Sequence, residues 1–174
     1  MNRDLVGKGV YGYAEVESLL HISSSMLARI ALPDPAGRRP ALVPPENTWC
    51  FTFRELVSVS VVVTLRIRQI DYDSIWAVEQ QLAEEYGTPW PFAHRAALAR
   101  LSTSGQDLLI DKERTAAGQL VIREAAELYL KLLHFDSDDY ANRWVAGDGI
   151  VLDPEVQAGA PCIAGTRVPT EVVA

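Results

Sequence analysis

Apolar residues recur along most of this chain at the three-to-four spacing of amphipathic helices, and alternate as in strands over only a few short stretches. Val16, Leu19 and Leu20 share one face of a predicted helix over 13–20. His21-Ile22-Ser23 then turns the chain, and Ser23 or Ser24 is suited to cap a second helix from Ser25 to about Ile30, with Met26, Leu27 and Ile30 as its apolar face. Leu56, Val59, Val63 and Ile67 form the stripe of a third helix over 53–66, despite its many β-branched valines. Asp73-Ser74 opens a fourth through Ile75, Val78, Leu82 and Tyr86, which Gly87 and Pro89 stop.

Strand signals lie between and after these helices. Ala41-Leu42-Val43 and Trp49-Cys50-Phe51 are predicted to pair as a hairpin behind the turn-rich loop 33–40. Leu98 to Thr103, the Ser104-Gly105 turn and Asp107 to Ile110 read as a second hairpin. A helix over 119–132 follows, with Leu120, Ala125, Leu128 and Leu132 spaced for burial. Leu133-His134-Phe135, the acidic turn Asp136-Ser137-Asp138-Asp139, and Tyr140 to Val145 read as another hairpin, leading into Ile150-Val151-Leu152. The expected fold class is therefore α+β.

The last stretch, 151–170, is dense in backbone-special residues. Pro154, Pro161 and Pro169 fix φ and withhold an N–H, while Gly159 and Gly165 open conformations closed to other residues. Thr170 is placed to cap a helix beginning there. The segment reads as a rigid loop presenting one cation, Arg167.

Charge divides the chain. The first 70 residues hold 8 Lys and Arg against 6 Asp and Glu, a balance of +2, and the other 104 hold 8 against 17, a balance of −9. Because phosphate neutralisation dominates nucleic-acid affinity, DNA contact is expected only from the first part, and the acidic part suits a basic protein partner. No apolar run reaches the ~18 residues of a membrane span. Cys50 and Cys162 lack metal-ligand spacing and read as two thiols in a reducing cytoplasm. His21, His94 and His134 form no zinc pattern, Asp136, Asp138 and Asp139 read as a solvated turn, and Trp90-Pro91-Phe92 reads as core packing. No nucleophile constellation, phosphate-cradling glycine loop or nucleotide fingerprint occurs, so neither catalysis nor a cofactor is expected.

Two resemblances add to this reading. Val-Leu-Asp-Pro-Glu from Val151, the lead-in Gly159, Pro161 and Ile163, and Gly165-Thr166-Arg167-Val168-Pro169-Thr170 resemble the opening of domain of unknown function 433 (DUF433). Proteins carrying it look like VapB-type antitoxins paired with PIN-domain ribonuclease toxins. The family's helical continuation would lie beyond Ala174, so that domain is expected to be truncated. The order Tyr11-x-x-x-Glu15-Val16, turn, wing, Phe53-Arg54-Glu55-Leu56, then another helix pair resembles the DNA-binding head of MerR-type regulators over roughly 11–86. Where that family carries Arg-Arg-Trp and a turn glycine, this chain has Ala28-Arg29-Ile30 and His21.

Together these imply a MerR-like winged helix-turn-helix over 1–87, a small α/β linker or dimerisation region with two hairpins and one helix over 88–149, and the start of a DUF433-type toxin-binding domain over 150–174. Tyr13, Ser24, Ser25, Arg29, Arg38, Arg39 and Arg54 are the candidate DNA contacts, and Gly165, Thr166 and Arg167 the candidate toxin contacts. The resulting expectation is a cytoplasmic, homodimeric antitoxin that binds operator DNA and inhibits a PIN-domain ribonuclease. Its alternative is a stand-alone MerR-like regulator with a small-molecule pocket lined by Trp76, Trp90 and Phe92. Whether Arg167 reaches a partner's carboxylates or holds its own loop through carbonyl contacts is left open.

Overall fold

The protein is described by a computed structural model over residues 9–104 and 116–172. Strand β1 (Val10–Gly12) leads into helix α1 (Tyr13–Leu20). His21 closes α1 in the left-handed conformation, φ 52°, with the Ile22 N–H reaching back to the Glu17 carbonyl at 3.1 Å. A histidine thus takes the backbone geometry that glycine usually supplies at a helix end. Ser23 caps helix α2 (Ser24–Ala31) by accepting the Met26 N–H.

The loop after α2 departs from expectation. No hairpin joins Ala41-Leu42-Val43 to Trp49-Cys50-Phe51, because the Leu42 and Val43 N–H groups donate to the Ile30 carbonyl at the end of α2, 2.9 and 3.1 Å, and Pro44-Pro45 has no N–H to offer. Strand β2 (Cys50–Thr52) pairs antiparallel with β1 instead. The expected wing is not formed.

Helix α3 (Phe53–Ile67) begins with reciprocal capping. Glu55 accepts the Thr52 N–H at 2.7 Å while the Thr52 hydroxyl accepts that of Glu55. It is buried almost all round, as befits a central helix, and Ser58 and Ser60 satisfy their hydroxyls on its own carbonyls. Helix α4 (Tyr72–Tyr86) starts at the Asp71 cap and stops at Gly87, φ 60°. A short 3-10 turn (Pro91–Ala93) buries Phe92 against α3, and helix α5 (Arg95–Ser104) follows.

Helix α5 corrects the hairpin expected from Leu98 to Thr103. The alanines at 96, 97 and 99 favour a helix, and Ala97, Leu98 and Leu101 bury one side of it. The other half of that hairpin, Asp107 to Ile110, lies outside the described residues. Helix α6 (Ala116–Leu132) packs on α5 and α3 through Ile122, Ala125, Ala126 and Tyr129, whose hydroxyl lies 2.9 Å from that of Thr64. Its buried face is therefore rotated from the expected one, leaving Leu120 and Leu128 exposed.

A four-stranded antiparallel sheet in the order β3-β4-β5-β6 completes the fold: β3 (Leu133–Phe135), β4 (Ala141–Gly147), β5 (Ile150–Leu152) and β6 (Cys162–Ile163). The aspartate turn is structural. Asp136 accepts the Asp138 and Tyr140 N–H groups and closes the β3–β4 hairpin as expected. Asp148-Gly149, both at positive φ, joins β4 to β5.

The boundary expected at 149/150 falls inside this sheet, since β5 pairs with β4. The buried residues likewise form one connected core from Tyr11 to Leu152 rather than three. Tyr11 fastens the two ends of the described chain together, its buried hydroxyl donating to the Gly159 carbonyl at 2.8 Å. Among the described residues, no helix is long and apolar enough to cross a membrane.

Candidate functional site

The arginines of α2 and its following loop meet around a shallow cleft of about 990 Å³, which also receives Arg66 from α3 and Tyr72 and Asp73 from the start of α4. Arg39, expected to reach phosphate, points inward. It is 8% exposed, donates to the carbonyls of Arg29 (2.9 Å) and Pro40 (3.1 Å), and lies over the Tyr72 ring at 5.0 Å. The Arg29 carbonyl belongs to the last turn of α2, where no intrahelical donor is available, so Arg39 finishes that helix. Arg66 stacks on the same ring at 4.2 Å and donates to the Ile70 carbonyl. Arg66 and Tyr72 were missed from sequence; the Asp71 cap beside Tyr72 was their one local signal.

Arg38 is exposed but chelated by Asp34, Nε to Oδ2 at 2.9 Å and Nη2 to Oδ1 at 3.2 Å. This bond holds the Asp34 carboxyl below its ordinary pKa. Arg29 is exposed, and among the described residues its guanidinium makes no ion pair or hydrogen bond. Ser24 and Ser25 are exposed at the start of α2, their hydroxyls bonded to Glu17 (2.9 Å) and Ser23 (3.0 Å). Arg29 and Arg38 therefore face solvent on one side of the molecule, while Asp34, Asp71 and Asp73 line the same cleft.

Tyr13 and Arg54 lie elsewhere. Tyr13 is half-buried with its ring edge-on to Phe51 at 5.0 Å, and burial, then Glu55 and Cys50, pushes its hydroxyl pKa up. Arg54 pairs with Asp136 at 3.3 Å and stacks over Tyr140 at 4.0 Å. It lines a second cleft, of about 570 Å³, between α3 and the four-stranded sheet. The structure thus does not bring Arg54 together with Arg29 and Arg38.

The Gly165-Thr166-Arg167 turn is built without its arginine. Ile163 and Val168 are joined backbone to backbone (3.0 Å), as are Thr170 and Pro161 (2.9 Å). The Thr166 hydroxyl donates to the Ile163 carbonyl at 2.9 Å and accepts the Val168 N–H at 3.1 Å. Gly165 takes φ 77°, open to glycine at no steric cost. The Arg167 carbonyl accepts from Gln157, but its guanidinium is exposed and has no partner among the described residues. The alternative in which Arg167 holds its own loop loses its basis. Thr170 opens a short 3-10 turn (Thr170–Val172) rather than capping a helix within the described residues. Among those residues, no group of three or more His, Cys, Asp and Glu could hold a metal.

Comparison with known proteins bears on two levels. The profile of the family described as "Protein of unknown function (DUF433)" matches residues 150–174. No curated protein matches. Of solved structures, the crystal structure of Rv2018 from Mycobacterium tuberculosis superposes with a TM-score of 0.63 at 21% identity, covering 94% of this chain and 83% of that one. The chain is therefore similar in fold to Rv2018 over most of its length, and its residues 150–174 are similar to DUF433.

Proposed function

We propose that this protein is an antitoxin: a binding protein, not an enzyme, that inhibits a PIN-domain ribonuclease and represses its own operon as a homodimer. The carrying observation is the turn at Gly165-Thr166-Arg167, closed by backbone and hydroxyl bonds so that a guanidinium unpaired among the described residues projects from it. A fork of fixed donors is suited to bidentate capture of carboxylates, and a preorganised tip loses little entropy on docking. A metal-dependent ribonuclease site, where acidic side chains cluster, is a partner of matching chemistry.

The DNA-binding half rests on Ser24, Ser25, Arg29 and Arg38, exposed on α2 and its following loop. With two solvent-facing arginines here and Arg38 already paired, one protomer grips phosphate weakly, and operator affinity requires two copies. Co-purification of the full chain with the neighbouring gene product, and ribonuclease activity with and without it, tests the first half. A stable complex with silenced cleavage is expected; separate elution with undiminished cleavage overturns it. Gel shift with upstream DNA at low and moderate salt tests the second.

The alternative of a stand-alone regulator sensing a small molecule has one observation in its favour. Trp90 and Phe92 do line a cavity, although Trp76 is not part of its lining.

A further inference from the structure

That cavity, about 280 Å³, lies between the 42–46 segment, α3, α4 and the Pro91–Ala93 turn, and it contains a charge the fold does not use. Glu79 sits on the buried side of α4 in line with Ile75, Val78 and Leu82, and is 7% exposed. Its carboxylate receives one hydrogen bond, from the adjacent Gln80 side chain at 2.6 Å, and no Lys, Arg or His pairs with it among the described residues. Burial raises its pKa to about 7, partly opposed by Gln80. A buried carboxylate without a counter-charge costs stability, and such groups cluster at functional sites.

The rest of the lining says what would satisfy it. The other titratable group lining the cavity among the described residues is Glu46, again a carboxylate; α3 contributes Ser58, whose hydroxyl already donates to the Arg54 carbonyl, and the turn contributes no ionisable group. A hard metal ion asks for about six to eight oxygen ligands, more than these groups supply. The walls are instead aromatic and proline, Trp90 and Phe92 with exposed Pro44 and Pro89 at the mouth. Such surfaces favour alkylammonium groups through aromatic and apolar contact, and the Trp90 ring already lies beside one cation, the Arg54 guanidinium at 5.4 Å. The volume sits at the low end of ligand pockets, which suits a molecule of roughly ten heavy atoms.

We infer that this cavity is a binding site for a small organic amine or quaternary ammonium, with Glu79 as its counter-charge and Trp90 and Phe92 as its wall. This goes beyond the antitoxin reading and does not depend on it, since occupancy is read with neither DNA nor protein partner present.

The test is calorimetric titration of the full chain with phenethylammonium and with its neutral analogue 2-phenylethanol. The ammonium should bind about tenfold or more tightly than the alcohol to the native protein. Glu79→Gln should erase that preference while leaving the alcohol's affinity unchanged. On the native protein alone, ammonium affinity should fall several-fold between about pH 8 and about pH 6, as the carboxylate takes up a proton and the amine keeps its charge. Absence of ammonium binding, equal preference in Glu79→Gln, or a flat pH profile overturns the site.

Discussion

Two turn-rich segments of this molecule carry arginines, and they use them in opposite ways. In the loop 33–40, the arginines complete the fold. Arg39 covers the Arg29 carbonyl at the end of α2 and Arg38 clamps Asp34, while the Asp34 and Arg39 backbones bond across the loop at 3.0 Å. In the turn around Gly165, the Thr166 hydroxyl and the Ile163–Val168 and Thr170–Pro161 backbone bonds close the loop, and the Arg167 guanidinium has no partner among the described residues. The difference lies in who satisfies the backbone. A helix end exposes carbonyls that need outside donors, and a guanidinium is a ready one; a closed β-turn has matched donors already. An arginine in a loop is thus a candidate contact only after the loop's own acceptors have been counted.

The second segment depends on its anchor at Gly159. Gly159 has φ 91°, and a Cβ there would land on the Tyr11 hydroxyl that bonds its carbonyl. Gly159→Ala therefore combines backbone strain with loss of a buried hydrogen bond, and should destabilise by about 4 kcal/mol. Urea unfolding monitored by circular dichroism should show the midpoint falling with an unchanged slope.

Buried charge extends the contrast, because Arg39 is buried with partners and Glu79 without a cation among the described residues. A carboxyl whose pKa rises from 4.5 unfolded to about 7 folded binds its proton more tightly in the native state. Its favourable contribution is complete below the unfolded value and is lost as pH rises through about 7. Glu79→Gln should therefore stabilise by up to about 3 kcal/mol at pH near 8 and by little near pH 4, read as melting temperature against pH. Arg39→Met should cost about 2 kcal/mol, and Arg39→Lys should rescue it poorly, since a single ammonium cannot reproduce the fork that spans two carbonyls. Thermal unfolding of both variants would show a lysine equal to arginine if the fork were irrelevant.

What the sequence revealed follows the same division between local and distant partners. Helices α3 and α4 were legible from their apolar stripes and from Gly87, which stops α4 locally; the caps at Thr52 and Asp71 set the starts, that of α4 ahead of the Asp73-Ser74 opening expected from sequence. The β3–β4 hairpin was legible because Asp136 closes it locally. The wing was misread because β2 finds its partner in Val10–Gly12, far back in the chain, and because Ile30 takes the N–H groups of Leu42 and Val43. Helix α5 was misread by weighting the Ser104-Gly105 turn over three alanines. At the site, Arg167 was legible as a presented cation, but the inward turn of Arg39 depends on a carbonyl ten residues earlier that has no sequence signature. Glu79 carries a sequence signal of its own, an acid inside the Ile75, Val78, Leu82 stripe.

The smallest stability effect falls on Arg167, the residue on which the proposed function rests. Because the Arg167 guanidinium is exposed and unpaired among the described residues, Arg167→Glu should change unfolding free energy by no more than about 0.5 kcal/mol. Thr166→Val, which removes both hydroxyl bonds of the turn, should cost about 1 kcal/mol and loosen the tip. If Arg167 captures carboxylates of a ribonuclease, the charge reversal should weaken the complex by about a hundredfold or more, since it substitutes repulsion for a bidentate pair. Thr166→Val should weaken it less, through lost preorganisation alone. Surface plasmon resonance against the immobilised ribonuclease separates the two. Equal losses would mean that the shape of the turn matters and its charge does not, and an unchanged affinity in Arg167→Glu would remove the turn from the interface.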